Sequence, residues 1–334
     1  MVKEEVMILT EGGTKIGLGH ITRCLALYEA FTEHDLEPIL VINGDNNVNE
    51  FLRKQKVEYR IENWLEKAEL IRDSVLIIDS YLAPREVYST LRKNNNTVVA
   101  IDDYNRLQYD AHIIVSPTIY GEFLNYKKHP NSVYLLGSKY IILRKEFWSV
   151  PSKKINENIR NIMITFGGED LRNLTPRVLE VLKDMPYTLH VVIGQAFRDT
   201  SYIPRYRKYP NIKFYFDLSA EEMLHLMLLS DIAISSCGQT LHELARVGVP
   251  TIGVVVAENQ KLNAQYFQKF GFLMYAGKYT DNNLERNILK GLEILGNYNE
   301  RKLRSEIGRK LVDGFGAKRI VSEVITYENS TSGR

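Results

Sequence analysis

The stretch Thr10-Glu11-Gly12-Gly13-Thr14-Lys15-Ile16-Gly17-Leu18-Gly19-His20 joins an apolar run at 6–9 to a helix-like run at 21–32. Glycines between a strand and a helix let the backbone approach a ligand closely, and the free N–H groups of a helix start attract anions. The spacing differs from G-x-G-x-x-G. A tight strand-to-helix turn and an anion-binding loop that includes Gly17 and Gly19 are therefore both compatible with this stretch.

The same alternation of short apolar runs and longer amphipathic runs continues along the chain. In the first half, strands are predicted at 6–9, 38–42, 75–78, 98–102 and 113–115. In the second half, they are predicted at 162–166, 189–193, 213–216, 232–235 and 251–256. Helical patterns cover 21–32, 85–93, 174–183, 221–229, 241–247 and 263–270. Apolar strands that alternate with helices are typical of parallel sheets buried on both faces, so we predict an α/β fold with two doubly wound, Rossmann-type domains.

The polar, proline-containing segment 149–158 separates the two strand–helix series. We therefore expect an N-terminal α/β domain over 1–150 and a C-terminal α/β domain over 151–334. The stretch 283–324 is helical in pattern with little strand character. One of these terminal helices is expected to pack back on the first domain.

Composition limits the class of protein. A chain of 334 residues with 44% hydrophobic and 25% charged residues suits two globular domains and excludes disordered and fibrous classes. With 43 Lys+Arg against 41 Asp+Glu, the net charge is +2, which predicts no overall positive potential that would attract nucleic acid. The two cysteines cannot form a disulfide framework. Because no signal peptide or apolar run of about 18 residues is present, we expect a cytoplasmic protein without an integral membrane segment.

His20 stands at the start of the first predicted helix. Burial and the helix dipole are expected to favour its neutral form, which can accept a proton from water or a sugar hydroxyl. Helix capping is the alternative role. Arg23 lies on the same helix face and suits either a phosphate contact or a surface ion pair. Cys24 is more typical of a small core residue than of a nucleophile. Since metal-ligand motifs are missing, we predict neither a metal nor another cofactor.

The second half carries two comparable loops. Gly167 and Gly168 follow its first predicted strand, and Asp170 and Asn173 either bind a ligand or cap the next helix. The second loop follows the strand at 232–235 and contains Ser236, Gly238, Gln239, Thr240 and Glu243. Its N–H groups and hydroxyls suit a diphosphate, and Glu243 suits either ribose hydroxyls or the helix dipole. Asn259 and Gln260 stand after the strand at 251–256, where ligands of open α/β sheets gather.

These motifs occur in an order that resembles GT-B nucleotide-sugar enzymes. The matching motifs are Gly17-Leu18-Gly19-His20-Ile21-Thr22-Arg23, then Ser236-x-Gly238-x-Thr240-x-x-Glu243, Gly248-Val249-Pro250 and Asn259-Gln260. The chain is more closely similar to the UDP-2,4-diacetamido-2,4,6-trideoxy-β-L-altropyranose hydrolases of pseudaminic acid synthesis and their spore-coat polysaccharide relatives. That similarity adds Ile78-Asp79-Ser80-Tyr81, Ile101-Asp102-Asp103, the segment 143–147 and Phe166-Gly167-Gly168-x-Asp170-x-x-Asn173-Leu174. The resemblance spans roughly 17–271.

The resemblance implies a GT-B-like fold whose two domains face a central cleft. It also implies that His20 activates a water molecule that attacks the anomeric carbon of a UDP-sugar and releases UDP with inversion. Tyr81 and Asn259 match positions near the sugar, Glu243 would hold the ribose, and the turn from Ser236 to Thr240 would hold the diphosphate.

One departure widens the choice of substrate. The hydrolase pattern has Arg-x-Asp just before the glycine loop, whereas this chain has Leu9-Thr10-Glu11, which keeps the acid and lacks the arginine. UDP- and CMP-linked amino sugars therefore both remain open. The sequence is also compatible with three other functions: an inverting glycosyltransferase, a nucleotide-sugar-binding protein without catalysis, and a hydrolysing 2-epimerase that would use Asp79, Asp102, Asp103 and Asp170. The sequence does not indicate the oligomeric state.

Overall fold

The computed structural model describes residues 5–14, 16–53 and 55–331. The chain divides into two compact units, Met1–Lys145 with Gly314–Arg334, and Glu146–Asp313. The division thus lies five residues before position 151, and it assigns the C-terminal helix to the first unit.

The first unit is built on a parallel sheet. In the described part, its strands are β1 (Glu5–Glu11), β2 (Ile39–Asn43), β3 (Tyr59–Ile61), β4 (Ser74–Asp79), β5 (Thr97–Ile101), β6 (Ile113–Ser116) and β7 (Val133–Leu136), in the spatial order β3-β2-β1-β4-β5-β6-β7. Its helices there are α1 (Gly19–Thr32), α2 (Asn46–Leu52), α3 (Arg85–Asn94) and α11 (Gly316–Thr331), numbered in chain order. Residues of β4, β5 and β6 are buried throughout, so the expectation of strands covered on both faces is confirmed.

The helices cover this sheet through apolar faces. In α1 the buried apolar residues include Ile21, Cys24, Leu27 and Phe31, whose spacing of three and four residues places them on one side. The helix α1 packs against β1, β2 and α11. This packing fixes the start of α1, and with it His20, against the sheet.

The second unit repeats the plan. In the described residues, its strands are β8 (Asn161–Thr165), β9 (Thr188–Ile193), β10 (Ile212–Phe216), β11 (Ile232–Ser236), β12 (Thr251–Val255) and β13 (Leu273–Lys278), in the order β10-β9-β8-β11-β12-β13. Its helices are α4 (Leu174–Leu182), α5 (Ile203–Tyr206), α6 (Ala220–Leu229), α7 (Gln239–Val247), α8 (Lys261–Lys269), α9 (Leu284–Leu295) and α10 (Tyr298–Leu311). All neighbouring strands pair in parallel, which confirms the α/β class. In the described residues, no helix combines the length and the low charge that crossing a bilayer requires.

Candidate active site

The strand order of the first sheet reverses between β1 and β4. Ligands of open α/β sheets bind at such a switch point, outside the carboxyl ends of the strands. Here β1 ends at Glu11, β4 ends at Asp79, and His20 is the second residue of α1, which follows β1. Asp79, which is dozens of positions away from Glu11 and His20 in the sequence, therefore lies with them at the carboxyl end of the sheet.

His20 and Asp79 form a hydrogen-bonded pair. The distance between His20 Nδ1 and Asp79 Oδ1 is 2.8 Å, and the two side chains are 10% and 0% exposed. An acceptor at Nδ1 fixes the tautomer in which Nδ1 carries the proton and Nε2 holds a lone pair. Among the described residues, Nε2 has no hydrogen-bond partner. The pair can therefore accept a proton at Nε2 from a bound water or hydroxyl.

Arg23 links Asp79 to a second carboxylate. Its Nε and Nη2 donate to the two oxygens of Asp79 at 2.8 and 2.6 Å, and its Nη1 donates to Asp103 Oδ1 at 2.7 Å. The other oxygen of Asp103 accepts the hydroxyl of Tyr81, whose ring meets the His20 ring edge-on at 4.5 Å between centroids. With only 13% of its side chain exposed, Arg23 forms a buried network rather than a surface ion pair.

The network sets the proton affinity of His20. Burial alone would lower the pKa of His20, but the adjacent Asp79 carboxylate, aided by Asp103, outweighs burial and the Arg23 charge and raises it above the ordinary value. The sequence-based expectation of an imidazole pushed towards neutrality is therefore wrong, because it did not include the buried carboxylate. Burial would raise the pKa of Asp79, yet Arg23 and His20 hold it well below its usual range, so Asp79 is a carboxylate.

Cys24 lies against the same carboxylate but does not suit nucleophilic chemistry. Its Sγ is 3.7 Å from Asp79 Oδ2, and the residue is fully buried. Burial first, and then the Asp79 charge, raise the pKa of this thiol well above its ordinary value. A thiolate is thus disfavoured, in agreement with the core role that the sequence indicated.

Glu11 holds the loop that carries Tyr81. Its Oε1 accepts the backbone N–H of Tyr81 at 2.7 Å, and its Oε2 accepts the Ser80 hydroxyl. Ser80 Oγ in turn accepts the N–H of Ala83 at 2.9 Å. The acid retained before the glycine loop therefore positions the turn after β4, and the sequence signal for it is its place at the end of a buried strand.

The glycine loop closes on itself. Gly13 and Gly17 exchange backbone hydrogen bonds of 3.1 and 2.7 Å, and Gly17 has a φ of +83°, which favours glycine. The N–H of Gly17 is therefore used within the turn, whereas Gly19 is exposed at the start of α1. Lys15, in the middle of this loop, lies outside the described residues.

The second sheet reverses its order between β8 and β11, and two loops meet there. A Cβ at Gly167 would lie 4.0 Å from the hydroxyl of Ser236. Gly238 is the N-cap of α7, and a Cβ added at Gly238 would lie 3.3 Å from Nε2 of Gln260. Gln260 also ties the loops, since its Oε1 accepts the N–H groups of Cys237 and Val256, both at 3.2 Å. The switch point thus gathers Gly167, Ser236, Gly238 and Gln260.

The other residues named for this unit lie around those loops. Gly168 is exposed and its carbonyl accepts the N–H of Ala196 at 3.1 Å. Gln239 and Thr240 form the first turn of α7, and Glu243, one turn in, is only 2% exposed. Asn259 is exposed in the short 3₁₀ turn Glu258–Gln260 after β12. Contacts of these side chains with a nucleotide remain predictions.

Asp170 and Asn173 lie at the start of α4, where Asn173 is the N-cap residue but makes no side-chain cap hydrogen bond. Both oxygens of Asp170 accept backbone N–H groups, those of Leu174 at 2.9 Å and Thr175 at 2.8 Å. Asn173 has a φ of +49° and is the N-cap, with its side-chain amide 3.4 Å from Asp199 Oδ2. This geometry favours the capping interpretation for Asp170.

Comparison with known proteins agrees with this architecture. Residues 161–312 match the model of the glycosyltransferase family 28 C-terminal domain. The crystal structure of Acinetobacter baumannii MurG superposes with a TM-score of 0.70 at 14% identity, covering 96% of this chain and 99% of that one. The chain therefore has the GT-B fold.

Curated relatives share modest identity over most of the chain. An uncharacterized protein of Methanocaldococcus jannaschii is 29% identical over 77% of this chain and 57% of its own length. The Helicobacter pylori protein named pseudaminic acid cytidylyltransferase and UDP-2,4-diacetamido-2,4,6-trideoxy-beta-L-altropyranose hydrolase is 24% identical over 80% of this chain. The matched part is only 47% of that protein. The spore coat polysaccharide biosynthesis protein SpsG of Bacillus subtilis is 25% identical over 95% of this chain and 96% of its own length. The resemblance drawn from the motifs is thereby confirmed.

Proposed function

We propose that this chain is a nucleotide-sugar hydrolase that releases UDP from a UDP-linked acetamido-deoxy sugar in nonulosonic acid or surface polysaccharide synthesis. The observation that carries the proposal is the His20–Asp79 pair at the switch point of the first sheet, with Nε2 lacking a partner among the described residues. The name of the Helicobacter pylori relative supports the same reaction and substrate class.

In this mechanism, a water molecule donates a proton to His20 Nε2 while its oxygen bonds to the anomeric carbon. The carbon–oxygen bond to UDP breaks, and its electron pair leaves on the β-phosphate. Asp79 stabilises the imidazolium that forms and keeps the ring oriented, and Tyr81 packs edge-on against that ring. Attack opposite the leaving group inverts the anomeric centre.

The second unit would stabilise the leaving group. The N-terminus of α7 begins at Gln239 after Gly238, and Gly238 provides no side-chain cap. Backbone N–H groups at such a terminus bind phosphate oxygens, and their dipoles stabilise the charge that develops on UDP. Thr240 adds a hydroxyl, and Glu243 would accept hydrogen bonds from the ribose.

The carboxylates argue against a hydrolysing 2-epimerase. Asp79 binds His20 and Arg23, Asp103 binds Arg23 and Tyr81, and Asp170 caps α4. Asp102 accepts the hydroxyl groups of Tyr109, at 3.0 Å, and Tyr126. Because each acid already serves a neighbouring group, none is left as an independent acid or base around a sugar. An inverting glycosyltransferase with the same base, and a sugar hydroxyl in place of water, is the second candidate because the GT-B fold hosts it equally.

The test is release of nucleotide without an added acceptor. The full chain is incubated with a panel of UDP- and CMP-linked amino sugars, and free UDP or CMP is quantified. We expect release from a UDP-linked diacetamido sugar, with His20→Ala lowering kcat by about 10²–10⁴-fold because the general base is lost. His34→Ala, which removes an exposed histidine of the same unit, is the matched control and should keep the wild-type rate. Release only after an acceptor is added would favour the transferase.

A further inference from the structure

The first unit contains a cavity that the proposed reaction does not use. It has a volume of about 400 Å³ and lies along α3, the loop 105–110 and the segment 125–134. His20, Arg23, Asp79 and Tyr81 do not line it. We call this cavity the α3 groove. A volume of this size is sufficient for a small organic ligand.

The α3 groove is strongly cationic. Four of its lining residues are arginine or lysine and one is an acid: Arg85, Arg92, Arg106 and Lys127 against Asp110. Arg85 and Arg92 are seven residues apart on α3, which places them on one helix face and about 10 Å apart along it. In a chain whose net charge is +2, such a local excess of positive charge favours an anionic ligand.

Two of these cations have structural partners. Arg92 Nη1 donates to the carbonyl of Ala111 at 2.8 Å and lies 3.2 Å from Asp110 Oδ1. Arg106 Nη2 donates to the carbonyls of Ser80 and Ala83 at 3.1 and 2.9 Å. These contacts hold both guanidinium groups in place and preorganise the wall of the groove.

In the described part of the chain, the other two cations of the groove lack carboxylate partners, and Arg106 has one unsatisfied donor. Among the described residues, neither the guanidinium of Arg85 nor the ammonium of Lys127 has a carboxylate partner, and both residues are exposed. The Nε–H of Arg106 is buried without an acceptor. A buried donor without an acceptor costs free energy that a bound oxyanion would recover.

The rest of the lining suits a carbohydrate. Aromatic rings and side-chain amides are the groups that pack against sugar faces and hydrogen-bond sugar hydroxyls, and the groove contains Tyr109, Tyr126, Tyr134, Asn105, Gln108 and Asn125. The hydroxyls of Tyr109 and Tyr126 are held by Asp102, which fixes both rings. We propose that the α3 groove binds an acidic carbohydrate, a small saccharide that carries a phosphate or a carboxylate.

The experiment is calorimetric titration of the full chain with glucose 6-phosphate, glucuronate and neutral glucose. We expect the two acidic sugars to bind and glucose to bind at least about tenfold more weakly, because it lacks the charge-assisted hydrogen bonds. The two acidic sugars distinguish phosphate from carboxylate as the preferred anion. Binding of glucose as tight as that of both acidic sugars would overturn the proposal.

A charge-reversed variant locates the binding site. Arg85→Glu with Lys127→Glu should weaken the acidic sugars by about tenfold or more, since it replaces attraction with repulsion at two exposed positions. Lys93→Glu with Lys302→Glu changes the net charge equally at exposed positions outside the groove and should leave affinity within about twofold. Equal binding by both variants would contradict the proposal. Neither pair touches the His20 network, so the result is independent of the UDP-release assay.

Discussion

At the scale of single residues, Asp79 makes the most consequential contacts of the first unit. It is fully buried, and it binds the imidazole of His20 and the guanidinium of Arg23 at the same time. The carboxylate therefore has two effects, since it fixes the tautomer of the base and raises its pKa. Both effects depend on charge and not only on shape.

Asp79→Asn removes that charge while preserving the volume of the side chain. Because Asp79 raises the pKa of His20, the variant should have a lower His20 pKa. The base acts when it is unprotonated, so the acidic limb of the kcat/KM profile should move to lower pH. The maximal rate should fall by on the order of 10²–10⁴-fold, because the imidazolium and its tautomer lose their partner.

NMR titration of the His20 ring gives a readout that does not require activity. Asp35→Asn, at an exposed position after α1, is the control and should keep the wild-type titration. An Asp79→Asn variant whose His20 titrates at the same or a higher pH than wild type would contradict the electrostatic account. Circular dichroism should accompany the titration, because buried Arg23 also loses a partner and the cost of breaking such a network is about 3–5 kcal/mol.

Contacts between residues far apart in the sequence determine the proton affinity of His20. The glycine loop predicts the place of His20, but the local sequence predicts a lowered pKa where the structure has a raised one. The Asp79 carboxylate lies 59 positions from His20 in the sequence, and Asp103 lies 80 positions from Arg23. No local pattern connects such residues; only the parallel pairing of β1 with β4 and β4 with β5 brings them together.

At the scale of elements, the N-termini of helices α4 and α7 differ in how their backbone N–H groups are capped. The start of α4 is satisfied by Asp170, which accepts two of its backbone N–H groups. The start of α7 has Gly238 as its N-cap and no side-chain cap. We therefore expect Asp170 to contribute to stability and the α7 turn to contribute to nucleotide affinity.

Asp170→Ala tests the first of these roles. Removing the cap should lower the free energy of unfolding by about 0.5–2 kcal/mol, measured by urea denaturation. Affinity for UDP should change less than about twofold, since the carboxylate oxygens already bind the helix. A large loss of UDP affinity with unchanged stability would instead support the ligand-binding interpretation of Asp170.

Thr240→Val tests the second role. The change keeps the shape of the side chain and removes its hydroxyl, so UDP affinity should fall by about 10–150-fold, the equivalent of one hydrogen bond to a charged group. Titration of the full chain with UDP measures the effect. Thr200→Val, at an exposed position of the same unit, should bind UDP as wild type does. Identical affinities for the two variants would remove Thr240 from the proposed diphosphate site.

Elements were predictable where burial was uniform. The central strands of both sheets appear in the sequence as apolar runs because they are covered on both faces. The sequence pattern does not predict the strands β3, β7 and β13. In β3 and β7 some residues are exposed or half-buried. The strand β13 contains Gly277, and its pairing with β12 shifts register between Gly253 and Val254 of β12. Edge strands need fewer apolar residues, so their pattern is weaker.

At the scale of the whole molecule, the proposal assigns a different part of the reaction to each of the two Rossmann-type units. The first unit contains the proposed base His20 with its carboxylate and arginine network, and the second contains the helix-terminal loops proposed to bind a diphosphate. Each set lies at the switch point of its own sheet, where ligands of open α/β sheets bind. The GT-B fold alone permits hydrolysis and transfer, so the outcome depends on which oxygen attacks the sugar.

Hydrolysis of UDP-2,4-diacetamido-2,4,6-trideoxy-β-L-altropyranose by the full chain in ¹⁸O-labelled water, followed by mass spectrometry of both products, tests the central claim most directly. Attack of His20-activated water on the anomeric carbon predicts one ¹⁸O atom in the released sugar and none in UDP. The label must be read at early times, before the free sugar exchanges its anomeric oxygen with solvent. Label in the phosphate of UDP, or no release of UDP until an acceptor is added, would contradict the account.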